Sequence, residues 1–229
     1  QVFDVQNFGD GTGNKFAFDA IKGKTFRYMA NTILNAGFLQ FDNQFKQGLR
    51  VVWGLRVEHF DQLVGSVKKW DPRHSYTKVI DFLPGMNATF KLNTKTNIRL
   101  SASQTVIRPE LRELSFLNLY DFELNASVQG NPSLKRTKIT NLDLRYELYQ
   151  KAGEVFTVGI FYKNFINPIE QLFNEGIGGS STFSYQNASE ANTYGAEIEI
   201  RKKLDFITGG LKNFTFQANA AYINSKVKD

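Results

Sequence analysis

Leu49-Arg50-Val51-Val52-Trp53-Gly54-Leu55-Arg56-Val57-Glu58 is the stretch that decides the fold. Its odd positions are Leu, Val, Trp, Leu and Val. Its even positions are mostly Arg, Gly and Glu. A strand sends successive side chains to opposite faces, so this segment has one apolar and one charged face. The pattern returns in Leu142 to Leu148, Phe156 to Lys163, Tyr194 to Arg201 and Phe214 to Ala220. A soluble sandwich turns its apolar face inward. A membrane barrel turns it outward and lines a wet interior with the charges.

The segments pair into hairpins. Segment 31–45 turns at Lys46-Gln47-Gly48 into 49–63, and 83–92 turns at Asn93-Thr94-Lys95 into 96–107. Segment 138–149 turns at Gln150 to Gly153 into 154–166, and 191–203 connects through Asp205 to Lys212 into 213–225. The hairpins 31–63, 83–107, 138–166 and 191–225 are joined by long, polar links over 64–82, 108–137 and 167–190. Short turns at one end and long loops at the other are how outer-membrane barrels sort their connections, with the long loops extracellular. The segments also approach or exceed the ~9–11 tilted residues that cross hydrocarbon, against ~5–6 for a soluble strand. Outward aromatics sort into two bands, with Tyr162, Tyr194 and Tyr222 toward the long loops and Phe90, Phe156 and Phe214 toward the short turns.

Composition does not oppose this reading. Hydrophobic residues make up 41% of the 229 positions and the mean hydropathy is −0.34, but only alternate barrel residues meet lipid. No run reaches the ~18 apolar residues of a spanning helix. The absence of Cys excludes disulfides and thiolate metal sites. The net charge of +6 is scattered, its densest run being Arg201-Lys202-Lys203, so no nucleic-acid partner is expected. Gln1-Val2-Phe3-Asp4 lacks the basic start and apolar core of a signal peptide, which predicts a mature form or an internal fragment of an exported protein.

The apolar face assigns the other face to the interior. Arg50, Arg56, Glu58, Arg99 and Asp143 fall on it, with Arg145, Glu147, Glu197, Glu199 and Arg201. A closed eight-stranded barrel has a nearly filled interior, so this many long charged groups predict a wider, wet lumen. The fold class expected is all-β: an antiparallel up-and-down transmembrane β-barrel, with about eight strands here from a larger barrel.

Several phrases resemble the TonB-dependent outer-membrane receptors of the Bacteroidetes type. The most specific is Ser103-Gln104-Thr105-Val106-Ile107-Arg108-Pro109-Glu110-Leu111-Arg112-Glu113-Leu114. Others are Asp81 to Met86, Gly130-Asn131-Pro132, Phe161 to Glu170 and Thr193 to Ile200. The ordered set covers roughly residues 28–225. The resemblance implies a barrel of about 22 strands, closed by an N-terminal plug, that binds a scarce nutrient outside and moves it inward when TonB pulls on the plug. The chain then reads as the central part of that barrel, 1–229 being one partial β-barrel domain without the plug. The implied partners are outer-membrane lipid, the receptor's own plug, TonB through the plug, and a possible surface lipoprotein. The implied location is the bacterial outer membrane.

Ligand contacts are expected on the long loops, where aromatic rings offer stacking surfaces. The candidates are Trp70, His74, Tyr76, Tyr120, Phe173 and Tyr185, with Phe116, Phe122 and Phe183 beside them. Arg108 and Arg112 are candidates too, unless the phrase around Pro109 is a salt-bridged loop anchor. The lumen charges Arg99, Arg145, Glu147, Glu197 and Glu199 are expected to hold the plug. Gly9 to Asn14 lacks the Lys-Ser/Thr of a phosphate loop, and reads as a loop tip, as do Gly176, Gly178 and Gly179. His59 and His74 have no partner at metal-ligand spacing, and no catalytic residues or cofactor are expected. Asn-x-Ser/Thr triplets at Asn87, Asn125, Asn187 and Asn213 read as chance in an Asn-rich chain. Two alternatives remain open: an enzyme on a smaller closed outer-membrane barrel, and a soluble β-sandwich binding module.

Overall fold

The computed structural model describes residues 4–9, 15–17, 27, 29–45, 48–175, 181–211 and 213–228. The turn residues Lys46, Gln47 and Lys212, the Asp10 to Asn14 stretch, and Gly176, Gly178 and Gly179 lie outside them.

An eight-stranded antiparallel sheet forms the wall. Its strands are β1 (Met29–Gln44), β2 (Leu49–Gly65), β3 (Ser75–Lys91) and β4 (Thr96–Ile107). They are followed by β7 (Thr137–Leu148), β8 (Val155–Ile166), β11 (Glu190–Lys203) and β12 (Thr215–Lys228). Each pairs with the strand before it in the order β1-β2-β3-β4-β7-β8-β11-β12. Among the described residues β1 and β12 are unpaired edges. This is an up-and-down antiparallel arrangement.

The links at one end are short turns. Gly48 and Gly153 sit there at φ +79° and +83°, a conformation glycine adopts without a Cβ clash. The last link holds two short 3-10 turns, Leu204–Phe206 and Gly209–Leu211. The opposite links carry structure of their own. One holds helix α1 (Leu111–Leu114) and strands β5 (Asn118–Asp121) and β6 (Ala126–Gln129); the next holds β9 (Ile169–Glu175) and β10 (Ser181–Asn187). These four strands make a second sheet in the order β5-β6-β10-β9. Its centre is a parallel pairing of β6 with β10, including Val128 across from Phe183.

Two departures from the sequence reading have physical causes. The third strand begins at Ser75, eight residues before the expected 83, because it stays paired with β2 up to Ser75 across from Val64. Pro84 is tolerated because it falls where the β3–β4 pairing ends, at Gly85 across from Ser103. The links over 108–137 and 167–190, expected as plain loops, each fold into a local strand pair, and β6 joins β10 across more than fifty residues, a partnership that leaves no local signature.

Pairing registers fix the faces. Leu144 lies across from Ile160, Ile160 from Ala196, and Ala196 from Tyr222. Trp53 lies across from Met86 and Met86 from Ala102. This is the apolar, outward face. On β11 it runs from Asn192 through Tyr194, Ala196, Ile198 and Ile200 to Lys202. Those roughly ten residues span ~33 Å along the strand and ~25 Å of height at a ~40° tilt, the height of an outer-membrane apolar band. Tyr162 and Tyr194 pair near its long-loop edge, while Phe156 and Phe216 lie near the other. Phe214 sits just outside β12.

Candidate functional site

The inward face is continuous across the wall. Arg50 lies across from Thr89, Thr89 from Arg99, Arg99 from Arg145, Arg145 from Gly159, and Gly159 from Glu197. Thr157 faces both Glu147 and Glu199. Asp143 faces Ser101, Arg201 faces Val155, and Arg56 faces Leu83, all on the same side. Ion pairs run along this face: Arg50 to Asp42 at 2.6 Å, Arg99 to Glu147 at 2.9 Å, and Arg145 to Glu197 at 4.0 Å. Most of these groups are about half exposed, whereas Glu147 is buried under Arg99 and Tyr149. Water screens such pairs to roughly 0–1 kcal/mol each. The face is wet, and its exposed ion pairs add little stability.

Toward the long-loop end the inward face changes character. Glu58 and Asp81 lie directly across from each other on β2 and β3. Arg108 donates to Glu58 at 2.7 Å and to Asp81 at 3.1 Å, and Arg136 donates to Asp81 at 2.9 Å. Arg56 donates to Glu58 at 2.6 Å. The Arg108 guanidinium also stands 4.5 Å over the Phe60 ring. The carboxylates are buried, with the Asp81 side chain 3% exposed. Arg108 immediately follows β4 and Arg136 immediately precedes β7, so both arginines reach from those strand ends to the neighbouring pair of strands. The phrase around Pro109 is thus a salt-bridged anchor. Asp81 and Arg136 were missed by the sequence reading, since neither stands in a recognisable spacing with its partners.

The anchor docks the loops onto the inside of the wall. Pro109 is buried, and α1 begins after it with the Glu113 carboxylate accepting from the Glu110 backbone N–H. Leu114 then packs with Val64 and Leu134, against Ile169 and Tyr185. Gly130 passes the carbonyls at the end of α1 so closely that a Cβ would lie 2.1 Å from the Ser115 oxygen. Asn side chains stitch the two long loops: Asn131 donates to the Tyr185 carbonyl, and Asn187 to the Asn167 and Lys135 carbonyls.

The loop candidates fall into separate places. Tyr185 belongs to the packed cluster. Phe173 and Phe183 face each other across β9 and β10 with ring centroids 5.1 Å apart. Tyr120 meets Phe122 edge-on, and its hydroxyl bonds Asn125. Phe116 and Arg112 are exposed. Trp70 is largely exposed at the tip of the 66–74 link, with the Lys68 ammonium 5.1 Å from its ring. His74 ties that link together through the Ser66 carbonyl. Asp71 is held there well below the usual carboxylate range, chiefly by the Arg73 guanidinium and then by the Arg73 backbone N–H. Tyr76 lies on the outward face, bonded to Asp61. Phe173 and Tyr120 thus share the loop sheet, whereas Trp70 and His74 belong to another link and Tyr76 turns away from the lumen.

Comparison with known proteins agrees with this architecture. Residues 2–229 match the family model for the TonB dependent receptor-like, beta-barrel. The copper transporter OprC superposes with a TM-score of 0.63 at 19% identity, over 86% of this chain and 29% of its own. The ferric citrate transporter FecA in its unliganded form gives 0.59 at 16% identity, over 87% and 27%. A mutant of the ferric enterobactin receptor from Pseudomonas aeruginosa gives 0.58 at 18% identity, over 84% and 26%. At these identities the likeness is one of fold, and the chain spans little more than a quarter of each of these proteins. No curated protein matches the chain. With its outward apolar band, inward charge and end-sorted connections, the chain belongs to the TonB-dependent receptor β-barrel family.

Proposed function

We propose that this chain is a central part of the barrel of a Bacteroidetes-type TonB-dependent receptor that imports a scarce nutrient. One observation carries the reading: charge on one face of the wall, an apolar band on the other, and long loops anchored onto the charged side by Arg108 and Arg136. In this reading the short turns are periplasmic and the long loops extracellular. A plug from the same receptor occupies the lumen against Arg99, Arg145, Glu147, Glu197 and Glu199. Individually weak contacts in water suit a plug that must move and return. TonB acts through that plug. The exposed rings of Trp70, Tyr120 and Phe173, with Arg112, supply contacts for the incoming nutrient. The family points to a transporter rather than an enzyme, and the reading needs no surface lipoprotein.

The test uses the full receptor in its own cell. Cells made dependent on it for growth on limiting siderophore iron, cobalamin, peptide or glycan should stop growing when TonB is deleted. A cysteine at Arg145→Cys should be shielded from a water-soluble maleimide in the resting receptor and label once the plug is deleted. Growth that persists without TonB would overturn the transport reading. Equal labelling with and without the plug would overturn the plug contact.

A further inference from the structure

The wall has a seam. Pairing between β3 and β4 stops at Gly85 across from Ser103, although β3 continues on β2 to Ser75 and β4 continues on β7 to Ile107. Pro84, which has no N–H to donate, is the first residue past the break. A cavity of about 250 Å³ opens there between Ile80 to Leu83 on one side and Gln104 to Val106 on the other. Its lining includes Phe82 and Val106 from the outward face and Asp81 and Thr105 from the inward face. Just below it on the outward side is an apolar groove of about 410 Å³, lined by Trp53, Pro84, Met86, Ala102 and Leu142.

Backbone groups of β3 and β4 that point into the seam lack a strand partner at the edge of the hydrocarbon, where an unpaired peptide group is costly. The side chains around it descend in polarity. Lys138 lines the cavity at the top of β7 and has no acidic partner among the described residues. One outward pair lower, Gln104 faces Thr140, the start of a polar row that continues through Asn164 to Asn192. One pair lower again, Ala102 faces Leu142 inside the groove. Cation, hydrogen-bonding pair and apolar trough follow the order of head group, ester linkage and acyl chain in a lipid.

We propose that the β3–β4 seam is a binding site for an anionic acyl lipid of the surrounding membrane. The chain lies in the Trp53–Leu142 groove, the linkage oxygens meet Gln104 and Thr140, and the negative head meets Lys138. The lipid fills a gap that the ladder leaves open, with Arg108 and Arg136 bridging the seam above it on the inside.

The full receptor, stripped of lipid in detergent, is titrated with phosphatidylglycerol and with phosphatidylcholine of identical chains, and bound lipid is counted by native mass spectrometry. One phosphatidylglycerol should be retained at least tenfold more tightly than phosphatidylcholine. Lys138→Ala should erase that preference. Ala102→Phe, which fills the groove, should weaken both lipids at least tenfold, and Leu142→Trp fills the same groove should Ala102→Phe fail to assemble, as judged by mobility on unheated gels. Lys226→Ala, on the outward face of β12, should change neither. Equal retention of the two lipids by the unmodified receptor, or retention untouched by Lys138→Ala or by the groove-filling change, would overturn the site.

Discussion

Glu58 and Asp81 stand directly opposite each other on adjacent strands, two buried carboxylates side by side on the inward face. Like charges in that position repel. Arg108 bonds both and Arg136 bonds Asp81, which turns a repulsive pair into the fastening for the loops.

Removing Arg108 should therefore expose the repulsion as well as delete a bond. Taking one partner from a buried ion pair costs ~3–5 kcal/mol. Arg108→Ala should lower stability by about that amount in a lipid-vesicle unfolding titration, and Asp81→Asn in the same background should recover part of it. A loss below about 1 kcal/mol would mean that the carboxylates are solvated and the anchor is ornamental.

The assignment of faces has its own test. Leu144 and Ile160 are cross-strand neighbours in the outward band. Arg at either should cost ~2–4 kcal/mol at mid-bilayer depth, while Ser101→Arg on the inward face should be close to neutral. Spin labels at Leu55 and Arg56 should report lipid and water respectively.

The loop cap can be separated from the wall. Leu114 is 2% exposed and packs on Val64 and Leu134. Leu114→Ala should cost ~2–5 kcal/mol of local stability and admit trypsin at Arg112, with barrel mobility on unheated gels unchanged. Gly130→Ala should do the same for a different reason, because its Cβ has no room beside the Ser115 carbonyl.

Most of the wall was legible in the sequence because lipid and water act on alternate residues. Arg50, Arg99, Arg145 and Glu197 show it, each placed on one face by alternation alone and joined there by the registers. The upper half of β2 was less legible. There His59 and Asp61 turn outward while Phe60 and Val64 turn inward, an inversion of the pattern below. Above the hydrocarbon the outer face meets water and the inner face meets docked loops, so the rule reverses. That inversion was the one local signal that something apolar covers the inside of the wall. The Asp81–Arg136 pair and the β6–β10 pairing gave none, because their partners lie about fifty residues apart.

The link at 66–74 should respond to acid. The Arg73 side chain and backbone hold Asp71 ionised well below the usual carboxylate range. A carboxylate with a depressed folded value supports the folded link fully above its unfolded value of about 3.9, and that support is lost as the pH falls toward the folded value. Hydrogen exchange of a peptide covering 66–74, corrected for intrinsic rate, should show protection at about pH 5 that fades only well below pH 3.9. Asp71→Ala should lack the protection already at the higher pH and show little further change on acidification. If wild type and variant lose protection together, another group fastens the link and the Asp71–Arg73 pair at 2.6 Å is incidental.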